Sequence, residues 1–293
     1  GSPAPGPRID AMNQDQPGHL SDQETRQLHW AYERLEHPSF AARLSSLLAM
    51  PIEEGMKLLP RHWRKRVERS AQASVLQAMN LAVASVGTGQ AGPSRSRDLA
   101  HKAMAAGAGA ASGFFGPLAL AAELPVTTTL ILRSIADIAR SEGEDLAQSE
   151  TRLACVQVFA LGGRTREDES ADLGYYGLRI TLGLHFENIL EYAGASEGPH
   201  IPAFVELTRA IAARFGVVIS DKAAAQLVPI LGAASGALLN LIFMQHYQDV
   251  ARGHFIVRRL ERAYGNDYIK TLYQEIQRQD EETEKEFSPV VGW

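Results

Sequence analysis

The sequence predicts an all-α fold, a multi-helix bundle that contains two closely packed Gly/Ala-rich helices. Three observations lead there. Most segments between turn residues show apolar spacings of three and four, whereas alternating polar and apolar runs bounded by turns are scarce. The phrase Gly109-Ala-Ala-Ser-Gly113 returns as Gly232-Ala-Ala-Ser-Gly236, each inside an uncharged stretch: Ala103 to Ala122, 20 residues, and Ala223 to Gln245, 23 residues. Small residues four apart share a helix face and let a second backbone approach, so Gly109, Gly113, Gly232 and Gly236 are the expected packing positions. Near the end, Leu239, Phe243, His246, Val250, Gly253, Val257, Leu260 and Tyr264 form a core-facing helical stripe.

Taken in order, Ser21 to His37 opens with an N-cap serine and Glu24 three residues on, a capping box, and Pro38 ends it. Phe40 to Met50 is a short second helix. Pro60 suits the first turn of a helix reaching about Ser85. Helices then follow over Ser96 to Gly113, Pro117 to Arg140, Glu144 to Leu161 and Ser170 to Tyr192. After a Gly/Pro-rich loop come Ala203 to Phe215, Asp221 to Ala234, Gly236 to Tyr264 and Asp267 to about Glu284. Residues 1–20 read as a tag remnant and disordered leader, with Met12 the expected natural start. Residues 21–285 read as one all-α domain, and 286–293 as a tail.

Composition narrows the function classes. Hydrophobic residues make up 45% and charged residues 22%, as in an ordinary globular chain. A net charge of −5 gives no overall field that would attract nucleic acid. One cysteine, Cys155, excludes an internal disulfide and fits a reducing compartment; no secretory signal pattern opens the sequence. The expected location is cytoplasmic, peripheral at the inner face of the membrane.

Familiar motifs lack their context. Gly87-Thr-Gly-Gln-Ala-Gly92 matches a dinucleotide fingerprint, but Pro93 interrupts the helix start and no acidic residue lies between Asp98 and Glu123. Gly194-Ala-Ser196-Glu-Gly198 matches a nucleophile elbow yet follows a helix and precedes Pro199. The histidines are dispersed, and the one Glu-x-x-His, Glu197 to His200, sits in a loop. No catalytic residue, metal ligand or cofactor is assigned.

Two features carry more weight. Glu123, Thr127, Ser134, Asp137 and Ser141 align on one face of an apolar helix, with Arg133 one turn before Asp137. A buried carboxylate needs a partner, and Arg152, Arg179 and Arg258 are the candidates for a structural ion-pair network. A second polar stripe, Asn240, Tyr247, His254, Arg258 and Glu261, is too polar to face lipid. The other feature is basic: Arg61, Arg64, Lys65, Arg66 and Arg69 surround Trp63 on one helix, a pattern that suits an anionic membrane surface as well as a solvated face.

Several phrases together resemble the bacterial EcsC family: Leu124-Pro-Val-Thr127, Arg133-Ser-Ile-Ala-Asp137, Gly143-Glu-Asp-Leu146, Glu150-Thr-Arg-Leu-Ala-Cys155, Val158-Phe-Ala-Leu-Gly162, Gly174-Tyr-Tyr-Gly-Leu-Arg179, Gly232-Ala-Ala-Ser-Gly-Ala237 and Gly253-His-Phe-Ile-Val-Arg-Arg-Leu-Glu261. They span about Gln77 to Tyr273, in order, and leave the segment before Arg69 uncovered. The family is named for a protein encoded beside an ABC transporter, and the resemblance implies no catalytic residues. The shared phrases coincide with Glu123, Arg133, Asp137, Glu150, Tyr175, Tyr176, Arg179, Asn240 and His254, which suggests one interior polar cluster gathered from four helices. The leading expectation is a non-enzymatic protein that binds membrane lipid or a membrane protein such as an ABC transporter. The alternative is a hydrolase using Glu123, Asp137, Glu150 and His254. Peripheral association is expected over spanning, because Pro117, Pro229 and Glu123 interrupt or bound the stretches and Ala and Gly dominate them.

Overall fold

A computed structural model describes residues 19–37, 40–48, 61–84, 117–171, 173–192, 202–226 and 234–287. These form ten helices and no strand: α1 (Asp22–Glu36), α2 (Phe40–Leu48), α3 (Arg61–Ala84), α4 (Pro117–Ser141), α5 (Ser149–Leu161), α6 (Arg166–Ser170), α7 (Tyr175–Tyr192), α8 (Pro202–Gln226), α9 (Ala234–Tyr264) and α10 (Asn266–Phe287). The all-α class follows. The close pairing of Gly/Ala-rich helices falls elsewhere: Gly109, Gly113 and Gly232 lie outside the described residues, and so do the surroundings of Gly236 in the first turn of α9. The Gly87 to Gly92 and Gly194 to Gly198 phrases also lie outside them.

Local rules set many of the boundaries. Ser21 Oγ accepts from the Glu24 amide at 3.3 Å, and the Glu24 carboxylate accepts from the Ser21 amide at 3.0 Å, closing the expected capping box. Three expectations are corrected. α5 starts at Ser149, not Glu144, because Gly143 turns the chain at φ 81° and Asp145 accepts from the Ala147 amide. The helix expected from Ser170 is interrupted: Thr165 and Asp168 cap the short α6, and α7 begins only after Gly174. α8 is one continuous helix through Gly216 to Ser220, where a break was expected. Phe215, Val218 and Ile219 are buried there, and packing outweighs the low helix propensity of Gly and β-branched residues.

α5 is the central element. Residues 151–161 are all buried, and the helix packs against α3, α4, α7, α8 and α9. A helix that is apolar nearly all round needs such enclosure. Phe159 of α5, Phe215 of α8, and Phe243 and Tyr247 of α9 interlock with ring centroids 5.1 to 6.2 Å apart. The α9 stripe from Leu239 to Leu260 is buried as its periodicity predicts, and Asn240, Tyr247, His254 and Glu261 beside it are buried too. α1, α4 and α10 cover the remaining faces of α9. No helix among the described residues is long and apolar enough to cross a membrane.

Candidate functional site

His254, Arg258 and Glu261 recur at intervals of four and three on α9, so they share one face. Opposite them stands the first turn of α7, with Tyr175, Tyr176 and Arg179. Gly174 permits this docking: a Cβ there would lie 3.2 Å from both carboxylate oxygens of Glu36. Glu36, at the end of α1, thereby accepts from the Tyr175 amide at 2.9 Å, the Tyr273 hydroxyl at 3.0 Å and Arg164 Nη2 at 2.7 Å. A carboxylate at a helix N-terminus satisfies an amide that would otherwise lack a partner and suits the helix dipole.

Across the α7–α9 junction, Arg179 grips Glu261 with both nitrogens, Nη1 to Oε1 at 2.7 Å and Nη2 to Oε2 at 3.0 Å. The Tyr176 hydroxyl donates to the same Oε1 at 2.9 Å. The guanidinium also lies over the Tyr175 and Tyr176 rings, 5.3 and 5.5 Å from their centroids. The Tyr175 hydroxyl sits 2.9 Å from His254 Nδ1. One turn on, Arg258 donates to both oxygens of Glu144, at 2.8 and 3.3 Å, and reaches the exposed Glu150 at 3.4 Å. Thr151 and Arg262 donate to Glu144 as well.

Burial and the nearby Arg179 and Arg258 charges hold the His254 imidazole well below its ordinary pKa, so it is neutral at pH 7. His254 Nε2 is buried without a hydrogen-bond partner. Burial also raises the Tyr175 and Tyr176 hydroxyls. Burial opposes the charge on Glu144, but hydrogen bonds and charge from Arg258 and the charge on Arg262 prevail, and its carboxyl titrates below the usual value. Each interior carboxylate of this group is thus held by an arginine, and the imidazole faces protein.

The nine expected cluster residues occupy three places. Tyr175, Tyr176, Arg179, His254 and Glu150 belong to the group just described. Glu123 lies in a second: Lys222 Nζ donates to its Oε1 at 3.0 Å, Thr127 Oγ1 donates to the same oxygen at 3.1 Å, and the ammonium sits 4.7 Å from the Phe243 ring centroid. Asn240 is buried on the same half of α9. Asp137 pairs with Arg140 one turn along α4, at 3.3 Å, and Arg133 is exposed. The single interior cluster is therefore divided. Helix periodicity places residues on a face but does not reveal how far along that face each partner lies.

Glu36, Glu144, Glu261 and Lys222 complete these groups. Glu261 was legible on the His254 stripe, and Arg258 as an ion-pair donor. Lys222 had a subtler signal: it directly precedes one uncharged stretch, as Glu123 directly follows the other. Glu36 had none, since its partners lie more than a hundred residues away. Lys65, Arg66 and Arg69 are exposed on α3, with Glu68 among them; the side chains of Arg61, Trp63 and Arg64 lie outside the described residues. No group of three or more His, Cys, Asp or Glu among the described residues is arranged to hold a metal ion.

The model of the EcsC protein family matches residues 28–260, from within α1 to within α9. The match therefore includes the second half of α1, α2 and the start of α3, which the shared phrases had left uncovered. No curated protein and no solved structure matches the chain. A match over most of the chain, reaching every helix from α1 to α9 that builds the three polar groups, means that the chain belongs to the EcsC protein family.

Proposed function

We propose that the protein is a non-catalytic module that attaches to anionic membrane surfaces through α3. The observation that carries this reading is the exposed face on which Lys65, Arg66 and Arg69 stand, followed two turns later by the half-exposed Leu76. The sequence adds Arg61, Arg64 and Trp63 to the same helix. A positive patch on a chain of net charge −5 acts locally, because charge beyond a Debye length of ~8 Å is screened. The arginine-held carboxylates and the buried, neutral His254 support a binding role over hydrolysis, since a general base must reach its substrate.

Co-sedimentation with phosphatidylglycerol vesicles tests the reading. Each basic residue near such a surface contributes about 1 kcal/mol. Neutralising Lys65, Arg66 and Arg69 together should therefore weaken attachment roughly 100-fold. Phosphatidylcholine vesicles should retain little of either protein. Equal sedimentation of the parent and the triple variant would overturn the proposal.

A further inference from the structure

α4 and α9 run parallel, and charge divides both in the same direction. Their N-terminal ends meet through Glu123, Lys222 and Phe243, their middles through the Gln248–Ser134 hydrogen bond at 2.7 Å, and their C-terminal ends through Arg258, Arg259 and Glu142 with Glu144. From residue 117 to 132 the one charge on α4 is Glu123, and from 234 to 248 α9 carries none. Beyond those points come Arg133, Asp137 and Arg140 on α4, and Asp249, Arg252, Arg258, Arg259, Glu261 and Arg262 on α9. The Glu123 charge is offset by fully buried Lys222. Val126, 55% exposed, and Leu238, 39% exposed, show apolar surface on the two uncharged halves.

We infer that this charge-poor pole, where α4 and α9 begin and α8 ends, enters the acyl-chain region of the membrane to which α3 attaches. The inference rests on the membrane reading above and assigns it a second surface. Exposed charged side chains at hydrocarbon depth are costly, so the opposite pole, where Arg133 and Arg262 are exposed, is disfavoured for entry. At this pole Glu123 and Lys222, the two charges that bound the uncharged stretches, offset each other in one pair, and half-buried Asp221, one residue before Lys222 on α8, is a further charge there. α3 packs against both α4 and α8, which places the basic helix on elements continuous with the pole. Entry is shallow, about 5–10 Å, as for an interfacial helix rather than a span.

Site-specific labelling tests this. Cys155 is buried, and burial pushes its thiol up to about 12, so the parent should take up little label. Val126→Cys, Leu238→Cys and, on exposed α9 surface near the charged end, Ala263→Cys would each carry an environment-sensitive nitrobenzoxadiazole group. On phosphatidylglycerol vesicles containing acyl-chain spin label, emission from positions 126 and 238 should shift to the blue and be quenched. Emission from position 263 should do neither. If the protein sediments with vesicles while positions 126 and 238 stay unquenched, the pole does not insert and attachment through α3 stands alone. If no variant, nor the parent, sediments, both readings fall. A concentration-dependent blue shift without vesicles would show the pole to be a contact between two copies, and would overturn the inference.

Discussion

Gly162 and Gly163 stand at the end of α5, where the α8 backbone and the α9 side chains of His246 and Tyr247 come close. A Cβ on Gly162 would lie 2.6 Å from Tyr247 Cε1, and one on Gly163 would overlap the Arg214 carbonyl oxygen. A backbone atom cannot swing aside as a long side chain can. Gly163→Ala should accordingly destabilise by roughly 1–3 kcal/mol, the usual range for overpacking. Gly216→Ala is the control, for its Cβ would meet nothing within 4 Å on a continuous helix. That change should gain up to about 1 kcal/mol from helix propensity. Urea denaturation of both variants checks the pair, and a loss at Gly216 equal to that at Gly163 would contradict the account.

Ion pairs join the elements, and their burial decides their weight. The Glu123–Lys222 pair ties α4 to α8 with both side chains at most 5% exposed. Burial, outweighing the attraction of Glu123, lowers the Lys222 ammonium from its usual range. Glu123→Gln should cost on the order of 3–5 kcal/mol, because a buried ammonium is left uncompensated. Glu123→Leu with Lys222→Met should recover most of that loss, and a double variant as unstable as Glu123→Gln would argue against the pair. The Arg179–Glu261 pair between α7 and α9 predicts a similar asymmetry: Glu261→Gln should cost more than Arg209→Ala, whose pair with Glu206 is exposed. Thermal unfolding distinguishes the two.

Acid stability is a property of the whole core. His246 Nε2 donates to the Gly162 carbonyl oxygen at 2.6 Å, and burial pushes the imidazole down to about 4. Burial and two arginines lower His254 as well. In the unfolded chain both bind protons near pH 6.5, whereas the folded protein does not. Between pH 6.5 and about 4 the unfolded state therefore holds more protons, and stability falls as pH falls. For His246 the loss across that window is on the order of 3 kcal/mol. Glu144 and Asp168 add to the loss at lower pH, since burial is outweighed by arginine contacts that lower both carboxyls. Melting temperatures from pH 7 to 4.5 should drop less in His246→Gln, whose amide can still donate to the carbonyl. An unchanged slope would place the acid sensitivity elsewhere.

The sequence by itself determined the all-α class, most helix boundaries and the buried stripe of α9, because capping residues and a spacing of three and four act within a few neighbours. It also marked Tyr175, Tyr176, Arg179 and His254 as polar residues that needed an interior explanation. Only the tertiary structure decided the pairing. Glu36 meets Arg164 and Tyr175 across more than a hundred residues, Arg179 takes Glu261, and Glu123 takes Lys222 from another helix. Periodicity reports which side of a helix a residue occupies. Which helix lies against that side, and at what height, depends on how whole surfaces fit together. The same physics kept α8 continuous past Gly216, where burial outweighed local preference, whereas the start of α5 at Ser149 was set locally by the Gly143 turn and the Asp145 side chain.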